Sequence, residues 1–302
     1  MTATVELDIG LVVANHGRHC VVETPEGGRI HGRARGKKSE AVVGDRVRWQ
    51  PTGAAEGVIE HLEPRRNLLF RQDDFKTKSF AANLDALLLW FAVDPVFSES
   101  QLTRALIAAE SAGIAATIVL NKTDLPGTET QRARLAPYRA MGCELLELQL
   151  KPTPDAARAL LLPRLAGRTT LVLGPSGAGK STLVNALVPD AQAQVGEISQ
   201  ALNSGKHTTT TTQWYWVDRE AGTALIDSPG FQEFGLQQLE GSQLVACMPD
   251  LRAHAGGCRF YNCTHRHEPG CAVIAAVERG EVSASRWRIY GELLDELGRT
   301  RW

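Results

Sequence analysis

Apolar positions fall into two kinds of pattern along the chain. From residue 1 to about 80 they form short β-like runs broken by turns: "IGLVVANHGRHCVVET", "GRIHGRAR", "DRVRWQ" and "GVIEHLE". "PEGG" at 25–28 is a hairpin signal. Several short strands at close spacing predict a small β-barrel. From about 81 to 245 the apolar runs alternate with helical spacing. "LDALLLWFAVD" (84–94), "AATIVLNK" (115–122), "CELLELQL" (143–150), "RTTLVLG" (168–174), "TQWYWV" (212–217) and "TALIDS" (223–228) read as strands. Residues 98–113 read as a helix with Gly113 at its C-cap, and residues 181–188 begin another. That alternation predicts a mostly parallel sheet with helices on both faces. "KPTPDAA", 151–157, is the most linker-like stretch. Near the end, Trp287, Tyr290, Leu294 and Leu297 recur at helical spacing, a packing stripe.

Composition narrows the class. With 302 residues the chain has room for two or three domains. A formal net charge of −1 gives no global basic footprint for nucleic acid, so only local patches can carry that reading. Arg29, Arg33, Arg35, Lys37 and Lys38 cluster in the barrel segment, followed by Arg46, Arg48, Arg65, Arg66 and Arg71. A charge run alone is more often a solvated surface, although small basic barrels commonly hold RNA. The N-terminus lacks signal-peptide character, and "ALLLWFAV" at 86–93 is too short to span a bilayer. A cytoplasmic protein without membrane attachment is expected. Of six cysteines, Cys258, Cys263 and Cys271 crowd the tail. In a cytosolic chain that points to metal rather than disulfides.

Chemistry enters with four motifs. "GPSGAGKST" places Gly174, Pro175, Ser176, Gly177, Ala178, Gly179, Lys180, Ser181 and Thr182 after a strand and at a helix start. Glycines let backbone amides wrap phosphates, Lys180 reaches the outer phosphates, and the Ser181 hydroxyl suits Mg²⁺. "NKTD" comprises Asn121, Lys122, Thr123 and Asp124. Asn121 can bond purine N7, Lys122 can pack beneath the base, and the Asp124 carboxylate can accept from guanine N1 and N2. Adenine offers no such donor pair, so GTP is selected over ATP. "DSPG" puts Asp227 near Mg²⁺ and leaves the Gly230 amide for the γ-phosphate. "GKHTTTTT", 205–212, holds a candidate switch threonine and His207, which either positions water or RNA or is simply exposed. The motif order is unusual, because NKTD precedes the phosphate loop.

That order resembles the circularly permuted GTPases. With the basic barrel before and the cysteine tail after, the whole chain resembles the RsgA (YjeQ) family. The resemblance implies an OB-fold over 1–80, a permuted P-loop GTPase domain over 81–245 and a zinc-binding domain with a C-terminal helix over 246–302. It makes Thr209 the switch residue, with Thr208 and Thr210 adjacent. The family zinc pattern fits Cys258, Cys263, His265 and Cys271 with one structural zinc, His267 being a spare. One departure is visible: "LQLKP" stands where the family has Ser-Ala for a second base contact. The implied activity is GTP hydrolysis in late maturation of the small ribosomal subunit. Its implied partners are GTP/GDP, the subunit and its rRNA, and the chain is expected to act as a monomer. Phe231 follows DSPG where Ras-like enzymes place a glutamine nearby, so turnover should be slow until a partner completes the site, unless Gln232 serves. Two rival readings are a small-molecule P-loop kinase, which NKTD disfavours, and an RNA-binding protein using GTP as a ligand without turnover.

Overall fold

The structure is a computed structural model that describes residues 7–16, 19–35, 41–73, 76–188, 191, 212–228, 236 and 238–299. Strands β1 (Asp8–His16), β2 (His19–Glu23), β3 (Arg29–Ala34), β4 (Arg46–Gly53) and β5 (Glu56–Leu62) pair in the order β1-β2-β3-β5-β4, and β4 returns to β1. This is a closed, OB-like barrel. Alternation decides what lies inside it: along β4, Val47 and Trp49 are buried while Arg46 and Arg48 are exposed. Gly57 admits the Trp49 ring, since a Cβ there would lie 2.4 Å from a ring carbon. A separate hairpin, β6 (Leu68–Asp73) and β7 (Lys76–Ala82), is bridged to the barrel at Val43↔Ala81.

The second sheet contains β8 (Ala86–Ala92), β9 (Ala115–Asn121), β10 (Glu144–Glu147), β11 (Thr169–Leu173), β12 (Gln213–Asp218) and β13 (Thr223–Asp227). Their order is β10-β9-β8-β11-β13-β12, parallel except for β12. β8 is buried along its whole length, which explains its unbroken apolar run. Leu87, Leu89 and Phe91 face one core, and Leu88, Trp90 and Ala92 face the other. Helices α1 (Glu99–Ser111) and α2 (Thr128–Ala140) cover the first face, while α3 (Pro154–Leu165) and α4 (Lys180–Leu187) cover the second. The linker-like stretch 151–157 instead runs into α3. Thr153 is the N-cap, and Pro154 sits in the first turn, where a missing amide breaks no bond.

The barrel and this sheet are continuous through β1. One edge of that strand is shared: Asp8 to Leu11 pair with β4, and Ala14 pairs with Gln213 of β12. The tail consists of α5 (Gly241–Leu244), a 3₁₀ turn (Val245–Cys247), α6 (Pro249–Ala255), α7 (Ala272–Glu278) and α8 (Ala284–Arg299). Ile289, Tyr290, Leu293 and Leu297 of α8 share a core with Leu102 and Ile107 of α1, and Trp287 and Leu294 pack at its margin. Arg286 is 1% exposed. It donates to both Asp250 carboxylate oxygens (2.8 and 2.7 Å) and to Thr103 Oγ1 (3.0 Å).

Candidate nucleotide and metal sites

The phosphate loop lies between β11 and α4. At Gly174 it leaves the sheet so close to β8 that a Cβ would sit 1.9 Å from the Trp90 carbonyl oxygen. Gly177 and Gly179 take φ values of +81° and +103°, the left-handed region that glycine enters without strain. Lys180 folds back over the loop and donates to the carbonyls of Gly174 (2.7 Å) and Pro175 (3.0 Å). Burial holds its ammonium below the ordinary lysine value. Ser176, Ser181 and Thr182 are exposed.

Asn121 ends β9, two strands away from the phosphate loop. Its Nδ2 donates to the Ala178 carbonyl at 3.0 Å, and Trp90 Nε1 donates to the same oxygen at 2.9 Å. Two buried donors thus fix the middle of the loop, and one of them belongs to NKTD. Asn121 Oδ1 accepts from the Leu150 amide at 3.0 Å. The Leu148 carbonyl accepts from Thr123 N and Oγ1, at 3.3 and 3.2 Å. "LQLKP" therefore holds the motif through its backbone, despite lacking Ser-Ala. Lys122, at φ +60°, donates to the Asp94 carbonyl at 2.6 Å. Asp124 is exposed and has no partner among the described residues. Trp90 is the residue that sequence reasoning missed. Its signal was a single indole inside an otherwise apolar strand with no other polar group.

Asp227 ends β13, beside β11, and is 4% exposed. Burial pushes its carboxyl up to about 6, against the pull of the Lys180 charge and the Ser228 amide. Its Oδ1 has no hydrogen-bond partner among the described residues. A buried, unsatisfied carboxylate oxygen near Lys180, with the Ser181 hydroxyl exposed on α4, suits a hard cation such as Mg²⁺ accompanying GTP. When bound, that ion neutralises charge on the phosphate oxygens. His207, Thr208, Thr209, Thr210, Gly230, Phe231 and Gln232 lie outside the described residues.

In the tail, the donor atoms of Cys258, Cys263, His265 and Cys271 all lie within 4.8 Å of one another. Cys258 Sγ is 3.8 Å from Cys271 Sγ, and His265 Nδ1 is 3.4 and 3.5 Å from those two sulfurs. Ligands about 2.3 Å from a tetrahedral zinc leave sulfurs about 3.8 Å apart, so the four residues fit that ion. Burial keeps His265 below the usual imidazole value, which favours the neutral ligand form. Burial opposes ionisation of Cys258, yet the amides of Ala272 and Val273 bring its thiol below the ordinary value. The loop is pinned from outside. Trp287 Nε1 donates to the His265 carbonyl, and the Tyr290 hydroxyl donates to that of Thr264, both at 2.8 Å. His267 is exposed and outside the cluster.

The barrel arginines are less available than the sequence suggests. Arg29 pairs with Glu23, Arg35 with Glu60, Arg48 with Glu63, Arg65 with buried Asp45, and Arg66 with Asp85. Arg33 and Arg46 are exposed and make no ion pair among the described residues. Lys37 and Lys38 lie outside those residues.

In space, β11 with its phosphate loop sits centrally, with β13 and Asp227 on one side and β8 and β9 leading to NKTD on the other. Along the chain, β8 to β10 come first. The strand carrying NKTD thus precedes the phosphate-loop strand in the chain, the order of a circularly permuted GTPase. Comparison with known proteins agrees. Residues 62–237 match the model of the RsgA GTPase family. A "small ribosomal subunit biogenesis GTPase RsgA" of Variovorax paradoxus is 60% identical over 97% of this chain and 93% of its own length. Its counterpart in Bordetella pertussis is 52% identical over 97% of both. The crystal structure of YjeQ from Thermotoga maritima superimposes with a TM-score of 0.71 at 28% identity, covering 97% of this chain and 99% of that one. That of YloQ, described as a circularly permuted GTPase, gives 0.68 at 26% identity, covering 100% and 99%. The chain belongs to the RsgA GTPase family and is a GTP hydrolase. Among the described residues no helix is long and apolar enough to cross a membrane.

Proposed function

We propose that this GTPase acts in late maturation of the small ribosomal subunit, in the cytoplasm and as a monomer. It binds the subunit with GTP and leaves on hydrolysis. The observation that carries the reading is the Asn121–Ala178 bond, which joins a guanine-type motif to a phosphate loop in a chain whose curated relatives are named for small-subunit biogenesis. In this reading Asp124 accepts from guanine N1 and N2, Lys122 underlies the base, residues 174–182 and Gly230 hold the phosphates, and Ser181, Asp227 and Thr209 surround Mg²⁺. His207 helps place water. Residues 1–80 contact rRNA, residues 81–245 carry the chemistry, and residues 246–302 form the zinc-bearing contact.

GTP turnover with and without purified small subunits tests this. Unaided Ras-like turnover is about 10⁻⁴ s⁻¹, and a completing partner adds roughly 10⁵-fold. Strong stimulation by the small subunit and little by the large one is expected, and equal stimulation by both would refute the reading. Asp124→Asn should weaken GTP binding and favour xanthosine nucleotides, whose C2 oxygen accepts from the new amide. Unchanged base preference would remove Asp124 from base recognition.

A further inference from the structure

Strand β12 has two faces with different work. Trp214 and Trp216 point toward the barrel side: Trp214 joins the core that contains Val13 and Val43, and Trp216 Nε1 donates to barrel Glu23 at 2.8 Å. Tyr215 points the other way, into the core with Leu225, and Gln213 shares that face by alternation. Gln213 is the register partner of Asp227 on β13 and of Ala14 on barrel strand β1. It is 8% exposed.

Direct antiparallel partners point to the same face with Cβ atoms about 4.5–5.5 Å apart, within reach of a glutamine side chain. Gln213 Nε2 and Asp227 Oδ1 are both buried, and both lack a hydrogen-bond partner among the described residues. An unmet buried donor thus stands beside an unmet buried acceptor, each of which is costly left alone. The terminal torsions of Gln and Asp are soft, so a small rotation joins them. For packing alone, an apolar residue would serve at this position.

We propose that Gln213 is a positioning residue for Asp227. Its amide takes one lone pair of Oδ1 and so orients the rest of the carboxylate toward the Mg²⁺ that accompanies GTP, and through its pairing with Ala14 it passes a shift of the barrel to that carboxylate. No other described residue pairs with both β1 and β13.

The test uses the full chain and a fluorescent guanine nucleotide titrated with Mg²⁺. In Gln213→Leu the half-saturating Mg²⁺ should rise roughly tenfold, the worth of one hydrogen bond to a charged group, while nucleotide affinity in excess EDTA stays at the wild-type level. Gln213→Asn keeps an amide but is one methylene shorter, and should show the same shift if the leucine variant fails to fold. Val217→Ala, farther along the same face, should leave the Mg²⁺ dependence unchanged. A folded Gln213 variant with wild-type Mg²⁺ dependence overturns the proposal, as does a lowered melting temperature with no such shift. A second arm, resting on the small-subunit reading above, repeats the titration with subunits present. The subunit should lower the half-saturating Mg²⁺ for wild type and not for Gln213→Leu. Failure to bind the wild type would count against that functional reading, whereas an equal shift in both proteins would count against Gln213.

Discussion

The N-terminal barrel keeps an interior of its own, built from Val22, Ile30, Val47, Trp49 and Ile59. It meets the GTPase sheet through the Ala14↔Gln213 pair, a few apolar residues such as Val13 and Val43, and a polar knot in which Glu23 pairs with Arg219 and Trp216. Between them lies a cleft of about 700 Å³ lined by Gly10, Arg46, Trp216 and Arg219, among others. The tail helices are attached differently. Leu251, Val273, Ile289 and Leu293 belong to the same core as α1, and Arg286 crosses into it. The contrast is one of extent: the barrel gives Val13, Ala14, Val21 and Val43 to that core but keeps a second interior of its own, whereas the buried apolar residues described in the tail all belong to the shared core. Residues that move together melt together.

Removing zinc should have the largest effect on this comparison. Structural zinc contributes apparent folding free energy on the order of 10 kcal/mol in small modules. Chelation, or Cys271→Ala, should therefore unfold the tail and also lower the melting temperature of the GTPase sheet, while the barrel keeps its own transition. Calorimetry checks this, and an unchanged sheet transition would mean that the shared core is not cooperative. One zinc per chain by elemental analysis is expected alongside.

Arg286→Met comes next. It leaves Asp250 buried without its cation, a loss of about 3–5 kcal/mol for a buried pair with one partner removed. Denaturant unfolding reads this directly. Adding Asp250→Leu should recover most of the loss, because two apolar residues replace a pair that was costly to desolvate. A double variant as weak as the single would show that Arg286 holds the tail through Thr103 rather than Asp250.

Glu23→Gln should have the smallest effect. It weakens charge-assisted bonds to Arg29 and Arg219 but keeps an acceptor for Trp216, at about 1–2 kcal/mol. The barrel transition should move and the sheet transition should not. Movement of both would make the barrel part of the same cooperative unit as the tail.

Much of this was legible in the sequence where chemistry demands fixed residues at fixed spacing. The phosphate loop, NKTD, Asp227 at its strand end and the Cys/His spacing are of that kind. β8 was legible because a strand buried on both faces reads as an unbroken apolar run. Partners chosen by the fold left no such trace. Trp90 meets Ala178 across 88 positions, and Arg286 meets Thr103 across 183. The barrel arginines looked like a free basic patch because their carboxylates come from other strands and from distant turns. Gln213 looked like the polar start of a strand, since only register reveals Asp227 opposite it.

The bonds from Asn121 and Trp90 to the Ala178 carbonyl join segments that lie 57 and 88 positions apart in the chain. A hydrogen bond carries no memory of which residue is synthesised first. The two halves of the cradle are locked to each other by contacts indifferent to chain order. The ancestral ends could therefore be joined, and new ends opened elsewhere, with the cradle preserved. In this chain order the strands that carry Trp90 and NKTD leave the ribosome before the phosphate loop, so the two donors meet their acceptor only once Ala178 has followed them.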